Sequence, residues 1–344
     1  MYLQGATPPC RSVIMKTILI TYPFFRIEDK SADEVSGTDQ RNLWCFLFKQ
    51  KFERIGYQVI CSSDTQLINT LDVKCEISLN ASHKYTTAPH IALFMETPAI
   101  EPKNNSKNAS KYDRVLSYDP DILKLRNAIQ TNFPCWSPTI FDGQTSNRSG
   151  YVMIAANKFL NSNKHSKDLY SERRKVISWF EKNNRGDFSL YGKNWNKPAA
   201  LLGNKNLTKT LSKLGLKSQL KNYRGQIESK YQQLKKYTFN FCYENCHYPG
   251  YVTEKIFDAF VTRCIPIYWP SEQTRTLFYK ESYIDASAFA STSDLISYCD
   301  SLSAERRNQM LDAGQEFLNS SGYNFSHEKY SEVIFSTIVQ LLDP

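Results

Sequence analysis

Residues 240–270 read NFCYENCHYPGYVTEKIFDAFVTRCIPIYWP and carry the clearest structural pattern in the chain. Short apolar runs at Phe239–Tyr243 and Cys264–Trp269 lie on either side of one amphipathic segment, which predicts a strand, a helix and a second strand. Because ligands of open α/β sheets bind beyond the carboxyl ends of the strands, the junction between the first strand and the helix is the candidate binding site. Its polar residues are Glu244, Asn245, Tyr251, Glu254 and Lys255.

The start of the predicted helix suits an anionic ligand. Thr253 is the candidate N-cap, and Glu254 is well placed in the first turn. Pro249 and Gly250 allow a tight turn before the helix. The N–H groups at the helix start, together with Lys255, form a site for a diphosphate. Taken alone, the Thr-Glu-Lys sequence is more often an ordinary polar start of a surface helix.

The same alternation of strand-like and helix-like segments runs through the chain and predicts parallel α/β layering. Continuous apolar runs of this kind are typical of buried parallel strands. The predicted strands are residues 16–22, 57–61, 75–79, 90–96, 114–118, 150–157, 188–192, 238–244 and 282–287. The predicted helices are residues 41–55 with Asp39 as N-cap, 172–182 capped by Ser171, 229–237, 253–263, one capped near Ser293, and two at the end, of which the last covers 327–342.

A segment rich in Pro, Gly and Ser at residues 131–150 divides the chain into two α/β halves. We therefore predict two Rossmann-like domains that face each other across a cleft, with bounds at 15–149 and 150–325. Residues 326–344 are expected to form a helix that packs on the domains, and contact of its apolar face with a membrane is the alternative. Residues 1–14 have no apolar core, so we expect a disordered upstream extension or an expression artefact and not a signal peptide.

The formal charge of the chain is +9, from 43 basic and 34 acidic residues, and predicts an anionic partner. The candidates are a sugar nucleotide, an anionic membrane surface and nucleic acid. The densest basic tract, Lys205–Lys236, contains no RNA- or DNA-binding motif, so nucleic acid is not expected. No apolar run approaches the roughly 18 residues that span a bilayer.

Nine cysteines have no spacing typical of a disulfide framework, and their number is odd. Cys242 and Cys246 are close in sequence, but no second pair completes a zinc site, so reduced thiols and a cytosolic protein are expected. Asp119 and Asp121, in the sequence Tyr-Asp-Pro-Asp, are interpreted as a turn and not as a metal-binding pair. The sequon at Asn80 is given no weight, because no secretory signal accompanies it.

The motif at residues 243–269, YENCHYPGYVTEKIFDAFVTRCIPIYW, closely resembles the donor-binding motif of the α-1,3/1,4-fucosyltransferases, glycosyltransferase family 10. That motif is an aromatic-Glu-Asn triplet, a short gap, Tyr-x-Thr-Glu-Lys, an apolar helix and a strand that contains proline. The likeness covers roughly residues 90–290 and is stronger in the second half. Other segments similar to the family are 93–102 and 114–122 in the first half, and 171–182, 190–192 and 223–241 in the second.

The resemblance implies the GT-B fold, with GDP-fucose bound by the second domain and the acceptor by the first. It places Asn245, Tyr251, Glu254 and Lys255 around GDP-fucose, with Lys255 on the diphosphate. It also makes Arg173 the second phosphate cation. Arg174 is the close rival, but Arg173 puts the apolar residues that follow it at the spacing found in the family.

Glu96 is the general base that the resemblance implies, and Glu101 is the alternative. The position of Glu96 also suits this role, since it follows an apolar strand and lies at a strand end that faces the predicted cleft. Partial desolvation there would raise its pKa toward the working range of a base. A loop carboxylate with a local capping role is the competing interpretation.

We therefore expect an inverting fucosyltransferase that moves L-fucose from GDP-fucose to O3 or O4 of an acceptor sugar, such as N-acetylglucosamine or glucose. The acceptor is expected to be an oligosaccharide or glycolipid, as in lipopolysaccharide biosynthesis or protein glycosylation. No cofactor or metal is required, and the enzyme is expected in the cytoplasm, in peripheral contact with the inner membrane. Two alternatives remain open: a GT-B transferase that uses another nucleotide sugar, and a catalytically silent glycan-binding protein of the same fold. Thr97, Cys246 and Gly250 depart from the family pattern and leave the acceptor contacts undecided.

Overall fold

The two halves of the chain each form a parallel β-sheet. The computed structural model describes residues 15–21, 43–138, 148–158, 168–198 and 200–343. The first sheet, within these residues, contains β1 (Lys16–Thr21), β2 (Gln58–Cys61), β3 (Asp72–Leu79), β4 (His90–Leu93), β5 (Arg114–Ser117) and β6 (Ala128–Gln130). Their order is β2-β1-β3-β4-β5-β6, and neighbouring strands are parallel.

Apolar residues at helical spacing bury the first helix, α1 (Leu43–Glu53), against this sheet. Its Trp44, Phe48 and Phe52 are buried among apolar side chains of β1 and β3. Two short helices, α2 (Thr65–Ile68) and α3 (Ser106–Ala109), follow β2 and β4.

The second sheet has the strand order β11-β10-β9-β7-β8, again with parallel neighbours. Aromatic side chains such as Tyr151, Phe180 and Phe188 fill the layer between its central strands and the first helix of this half. The strands are β7 (Tyr151–Ile154), β8 (Phe188–Tyr191), β9 (Phe239–Phe241), β10 (Ile265–Tyr268) and β11 (Ile284–Asp285). The helices are α4 (Leu169–Lys182), α5 (Lys205–Lys213), α6 (Lys230–Leu234), α7 (Glu254–Val261), α8 (Glu272–Arg275), α9 (Thr292–Ser301) and α10 (Ala304–Ser320).

The strand order of the second sheet reverses at β7. Strand β8 pairs with one edge of β7 and β9 pairs with the other. A crevice opens at such a reversal, beyond the carboxyl ends of the strands. Because the polar junction of residues 242–255 begins where β9 ends, the fold places it beside this crevice.

The last helix, α11 (His327–Leu342), crosses from the second half and packs on the first. Its apolar face is buried in the core of the first sheet, where the Tyr330 ring lies 5.4 Å from that of Trp44. At the crossing, the N–H of His327 donates to the carbonyl of Trp136 over 2.9 Å. The halves are therefore joined where the segment after β6 meets the segment before α11. The predicted domain bounds stay predictions.

The cap predicted for α4 is wrong. Asp168 caps this helix in place of Ser171, because its carboxylate accepts the N–H of Tyr170 at 2.9 Å. The helix predicted near Ser293 is capped by Ser291. The last helix has its predicted bounds.

Some elements have no counterpart among the predictions. Strand β6 has only three residues, and α5 has only two leucines among nine residues, so neither gives an apolar run that marks an element in sequence. Asp39 and residues 1–14 lie outside the described residues. The eight cysteines of the described residues form no disulfide. No helix in the same part of the chain has both the length and the apolar character needed to cross a bilayer.

Candidate active site

A buried carboxylate, that of Glu244, organises the start of α7. Glu244 is only 1% exposed. Its Oε1 accepts the backbone N–H of Thr253 at 2.8 Å, and its Oε2 accepts the Thr253 hydroxyl at 2.6 Å. The same Oε2 accepts Nζ of Lys255 at 2.9 Å. Glu244 therefore ties the segment after β9 to the first turn of α7.

Thr253 is the N-cap residue of α7, as predicted, but its side chain does not cap the helix. The hydroxyl donates to Glu244 instead and accepts from Nζ of Lys255 at 2.6 Å. The physical reason is that a hydrogen bond to an ionised carboxylate is stronger than one to a neutral backbone group.

Lys255 is held as a cation at this helix start. Burial alone would lower the pKa of its ammonium group, but the carboxylates of Glu244 and Glu254 outweigh burial, and the pKa is raised. Nζ lies 2.9 Å from Glu244 and 3.8 Å from Glu254. The positive end of the helix dipole is at the same place, so the site attracts an anionic group.

Arg173 reaches the same junction from α4. Its Nη2 donates to the carbonyl of Tyr243 at 2.5 Å and to Oδ1 of Asn245 at 3.2 Å. The guanidinium lies 4.8 Å from the ring centre of Tyr170, a cation–π contact. Burial lowers the pKa of Arg173, but a guanidinium remains charged in proteins. Arg173 is therefore a second cation at the site, and its positive charge lowers the pKa of Lys255 in opposition to the two carboxylates.

Arg174, the rival of Arg173, contacts a different loop. Its Nη2 donates to the carbonyl of Lys158 at 2.5 Å and to Oδ1 of Asn157 at 3.4 Å. Both partners follow β7 and not β9. The geometry favours Arg173 as the phosphate cation, and that role stays a prediction.

A chain of hydrogen bonds runs from Arg173 to Glu96 in the other half of the protein. Arg173 donates to Asn245, whose Nδ2 donates to the Tyr251 hydroxyl at 3.2 Å. The Tyr251 hydroxyl donates to Oε2 of Glu96 at 3.1 Å. The structure thus brings together four of the six predicted site residues in one chain that crosses between the domains, and the remaining two begin α7.

Two asparagine side chains hold the loop that carries Glu96. Oδ1 of Asn80 accepts the Glu96 N–H at 3.1 Å and Nδ2 of Asn104 at 2.7 Å. Nδ2 of Asn104 also donates to the Glu96 carbonyl at 2.8 Å. Asn80 has a φ of +61°, a left-handed conformation that asparagine tolerates. Sequence reasoning missed both asparagines, and the one signal available was that Asn80 directly follows an apolar strand.

The pKa of Glu96 is raised by burial, which outweighs the lowering by the Tyr251 hydrogen bond and by the charge of Lys255. A raised carboxylate pKa suits a general base, since the group then binds a proton more readily near neutral pH. Glu101 serves a local turn instead, because its Oε1 accepts the N–H of Lys103 at 3.3 Å. Glu96 is therefore the better placed candidate, and its role as base stays a prediction.

The turn 245–251 docks the second half of the chain on the first. The Tyr248 hydroxyl donates to Oδ2 of Asp119 at 2.7 Å. Sγ of Cys246 lies 3.5 Å from the Thr97 hydroxyl, and both residues are buried. Asp119 thus has a role between the domains besides its place in the predicted turn.

Gly250 permits this close approach. Its φ is +71°, and a Cβ at this position would lie 3.0 Å from the carbonyl oxygen of Tyr118. The three departures from the family pattern, Thr97, Cys246 and Gly250, therefore all lie in one contact between the domains.

A small polar pocket lies beside Glu254 and Lys255. One wall is the ion pair of Lys230 with Asp258, whose atoms are 2.9 Å apart. Asn240 also lines the pocket, and its Oδ1 is buried without a hydrogen-bond partner. Polar and charged atoms thus line the pocket next to Lys255.

Sequence comparison relates this region to a known family. A family model described as glycosyltransferase family 10 (fucosyltransferase) C-term matches residues 194–311. Over these residues the chain is similar to that family. The predicted resemblance is confirmed. Four predicted site residues lie inside the matched segment, namely Asn245, Tyr251, Glu254 and Lys255, whereas Glu96 and Arg173 lie outside it.

Part of the chain also resembles a curated protein. It is 32% identical over 120 residues to the alpha-(1,3)-fucosyltransferase FucT of Helicobacter pylori. The alignment covers 33% of this chain and 25% of FucT, so the chain matches a quarter of the length of that relative.

Solved structures resemble nearly the whole chain. An alpha1,3-fucosyltransferase with GDP has a TM-score of 0.54 at 17% identity, over 98% of this chain and 94% of its own. A glycosyltransferase from Rickettsia africae ESF-5 has a TM-score of 0.58 at 12% identity, over 94% of this chain and 99% of its own. At such identities the likeness shows the fold alone. It confirms the predicted GT-B class, in which two Rossmann-like domains face each other.

Proposed function

We propose that this protein is an inverting fucosyltransferase that transfers L-fucose from GDP-fucose to O3 or O4 of an acceptor sugar. One observation carries the proposal. The hydrogen-bonded chain from Arg173 through Asn245 and Tyr251 ends on Glu96, so a carboxylate of raised pKa lies across the cleft from the cationic junction.

The second domain holds the donor. Lys255 and Arg173 bind the diphosphate, and Glu254 contacts the ribose or the sugar ring. The alpha1,3-fucosyltransferase of similar fold is described with GDP, which supports a guanosine nucleotide here. Fixed cations of this kind stabilise the charge that grows on the leaving diphosphate, and we propose that neither metal nor cofactor is needed.

The first domain supplies the base and holds the acceptor. Glu96 takes the proton of the acceptor hydroxyl, whose oxygen attacks the anomeric carbon of fucose from the face opposite GDP. The bond between that carbon and the diphosphate oxygen breaks, and its electron pair leaves with GDP. The acceptor is an oligosaccharide or glycolipid with N-acetylglucosamine or glucose, and the reaction takes place in the cytoplasm.

Calorimetry of nucleotide binding tests the donor site. We expect GDP and GDP-fucose to bind, and Lys255→Ala to weaken both by roughly tenfold or more, since a charged hydrogen bond is lost. Lys175→Ala is the control, because this exposed lysine of α4 pairs with Glu172 and not with the site. If the wild type bound neither nucleotide, the transferase would be ruled out, and normal binding by Lys255→Ala would rule out the phosphate placement.

Turnover of Glu96→Gln tests the base and separates a transferase from a silent glycan-binding protein. We expect GDP-fucose to bind normally and its hydrolysis or transfer to slow by about a hundredfold or more. Glu101→Gln is the matched control and should keep its activity. No GDP release by the wild type from GDP-fucose or a panel of other nucleotide sugars, with glycan binding intact, would instead establish the silent protein.

A further inference from the structure

A leucine- and lysine-rich surface covers residues 201–217, which we call the Leu/Lys segment. Ten large apolar side chains are exposed in the described part of the chain, and four of them lie here. They are Leu202 and Leu214 at 69% exposure, Leu216 at 52% and Leu207 at 37%. Concentration of apolar side chains at one place on a surface marks a site of interaction.

The same segment is strongly cationic. Between Asp187 and Glu228 the sequence has basic residues but no acidic one. Within the Leu/Lys segment the lysines are Lys205, Lys209, Lys213 and Lys217, all exposed and four residues apart. Since residues four apart share one face of a helix, the three lysines of α5 form a single basic stripe.

The exposed leucines belong to α5 and to the turns at its two ends. Leu207 belongs to α5, which ends at Lys213. Leu214 and Leu216 follow at once, separated by Gly215 with a φ of +75°. One short segment therefore exposes both leucine side chains and lysine ammonium groups to solvent.

The start of the Leu/Lys segment is fixed next to the helix that carries Arg173. The carbonyl of Ala200 accepts Nδ2 of Asn157 at 3.3 Å. A Cβ on Gly203 would lie 3.2 Å from Nη1 of Arg174. A partner that docks on the Leu/Lys segment therefore has a defined position relative to the candidate active site.

We propose that the Leu/Lys segment docks this protein on an anionic lipid bilayer. Leucines that enter the boundary between headgroups and acyl chains, flanked by lysines on lipid phosphates, are the chemistry of interfacial helices. Nucleic acid fits less well, because sequence-tolerant binding of single strands uses aromatic stacking and the segment contains no aromatic residue. The docking holds whether or not the protein transfers fucose.

Co-sedimentation with vesicles tests the proposal. The full chain is mixed with vesicles of phosphatidylcholine alone, or of phosphatidylcholine with phosphatidylglycerol. We expect binding to the anionic vesicles only, and we expect it to weaken as ionic strength rises from about 0.1 M to about 1 M, where screening shortens to roughly 3 Å. Binding to neither kind of vesicle, or equal binding to both, would overturn the proposal.

Two triple variants separate the apolar and the charged contributions. We expect Leu202→Ser with Leu214→Ser and Leu216→Ser to weaken vesicle binding by about tenfold or more, because the inserted apolar area is lost. Lys209→Glu with Lys213→Glu and Lys217→Glu should weaken it at least as much. GDP binding by each variant shows whether it is folded, and circular dichroism shows this independently if GDP does not bind.

Matched controls change the same residue types elsewhere on the surface. Leu67→Ser with Leu277→Ser replaces leucines that are 42% and 38% exposed. Lys103→Glu with Lys107→Glu and Lys111→Glu changes exposed lysines around α3. Both controls should bind vesicles like the wild type. If the leucine variant also bound like the wild type, and RNA displaced the protein from vesicles, the surface would be a polyanion site and the proposal would be wrong.

Discussion

Glu244 is a buried anion whose partners are the threonine and the lysine at the start of α7. The sequence motif predicted Glu254 and Lys255 as site residues. It contained Glu244 as a carboxylate of the junction but did not indicate its structural role. The role of Glu244 depends on a turn that brings residues nine and eleven positions away against its two oxygens. The order of residues along the sequence does not show that these side chains meet.

Removal of the Glu244 charge should therefore lower the stability of the protein. We expect Glu244→Gln to lower the free energy of unfolding by about 3 kcal/mol, because Lys255 is left without its closest counter-charge in a buried setting. Urea denaturation measures this change. Glu272→Gln, an exposed residue in the first turn of α8, is the control and should stay within about 0.5 kcal/mol of the wild type. An equal effect of the two substitutions would contradict the role given to Glu244.

The hydrogen bond from Tyr251 to Glu96 should appear in the pH dependence of activity. This bond lowers the pKa of Glu96, against the raising by burial. Tyr251→Phe removes it, so the pKa should rise and the acidic limb of kcat/KM should move to higher pH. The base works only when ionised, which is why activity falls with pH on that limb. Tyr248→Phe should leave the limb in place, because its hydroxyl donates to Asp119. An equal shift of the acidic limb in Tyr251→Phe and Tyr248→Phe would contradict the effect of the Tyr251 hydrogen bond on the pKa of Glu96.

At the scale of elements, the apolar runs predicted most strands because parallel strands are buried on both faces. The strand β4, whose four residues are all buried, was visible for this reason. Helix caps were harder, because several polar residues compete for one position. Near the start of α4 both Asp168 and Ser171 are candidates, and Asp168, three residues before Ser171, is the N-cap.

The cap of α4 provides a direct comparison of these two residues. We expect Asp168→Ala to destabilise the protein by about 1 kcal/mol, the usual cost of a lost N-cap. Ser171→Ala should cost less than about 0.5 kcal/mol, since Ser171 lies inside the helix and donates to the Asp168 carbonyl. Thermal or urea unfolding of the two variants measures the difference. A larger loss of stability in Ser171→Ala than in Asp168→Ala would support Ser171 as the N-cap, as predicted from the sequence.

At the scale of the whole molecule, the contact between the halves was beyond sequence reasoning. Tyr251 and Glu96 are 155 positions apart, and Tyr248 and Asp119 are 129 apart. The resemblance predicted that Glu96 and the donor motif share a site, but not that a tyrosine joins them. Asn80 and Asn104, which hold the Glu96 loop, belong to no sequence motif that indicates this role, and the role becomes visible only in the structure.

Gly250 tests this contact between the halves. Gly250→Ala should destabilise the protein by about 1–2 kcal/mol through the left-handed backbone, with a further loss because the new Cβ meets the Tyr118 carbonyl. Gly56→Ala is the matched control, since its φ is +84° but nothing lies within 4 Å of its Cβ. Denaturation curves should show the larger loss at Gly250, and turnover should fall there alone. Identical behaviour of the two variants would mean that the approach to Tyr118 is unimportant.

The position of α11 has a consequence for biosynthesis. The core of the first sheet includes side chains from residues 327–342, which leave the ribosome after all of the second half. Until then, the nascent amino-terminal domain lacks part of its interior, and the ring of Trp44 lacks its contact with Tyr330. The domain made first is therefore completed last, and a chaperone that shields its apolar groove during translation should bind stalled chains that end before residue 327 better than chains that include α11.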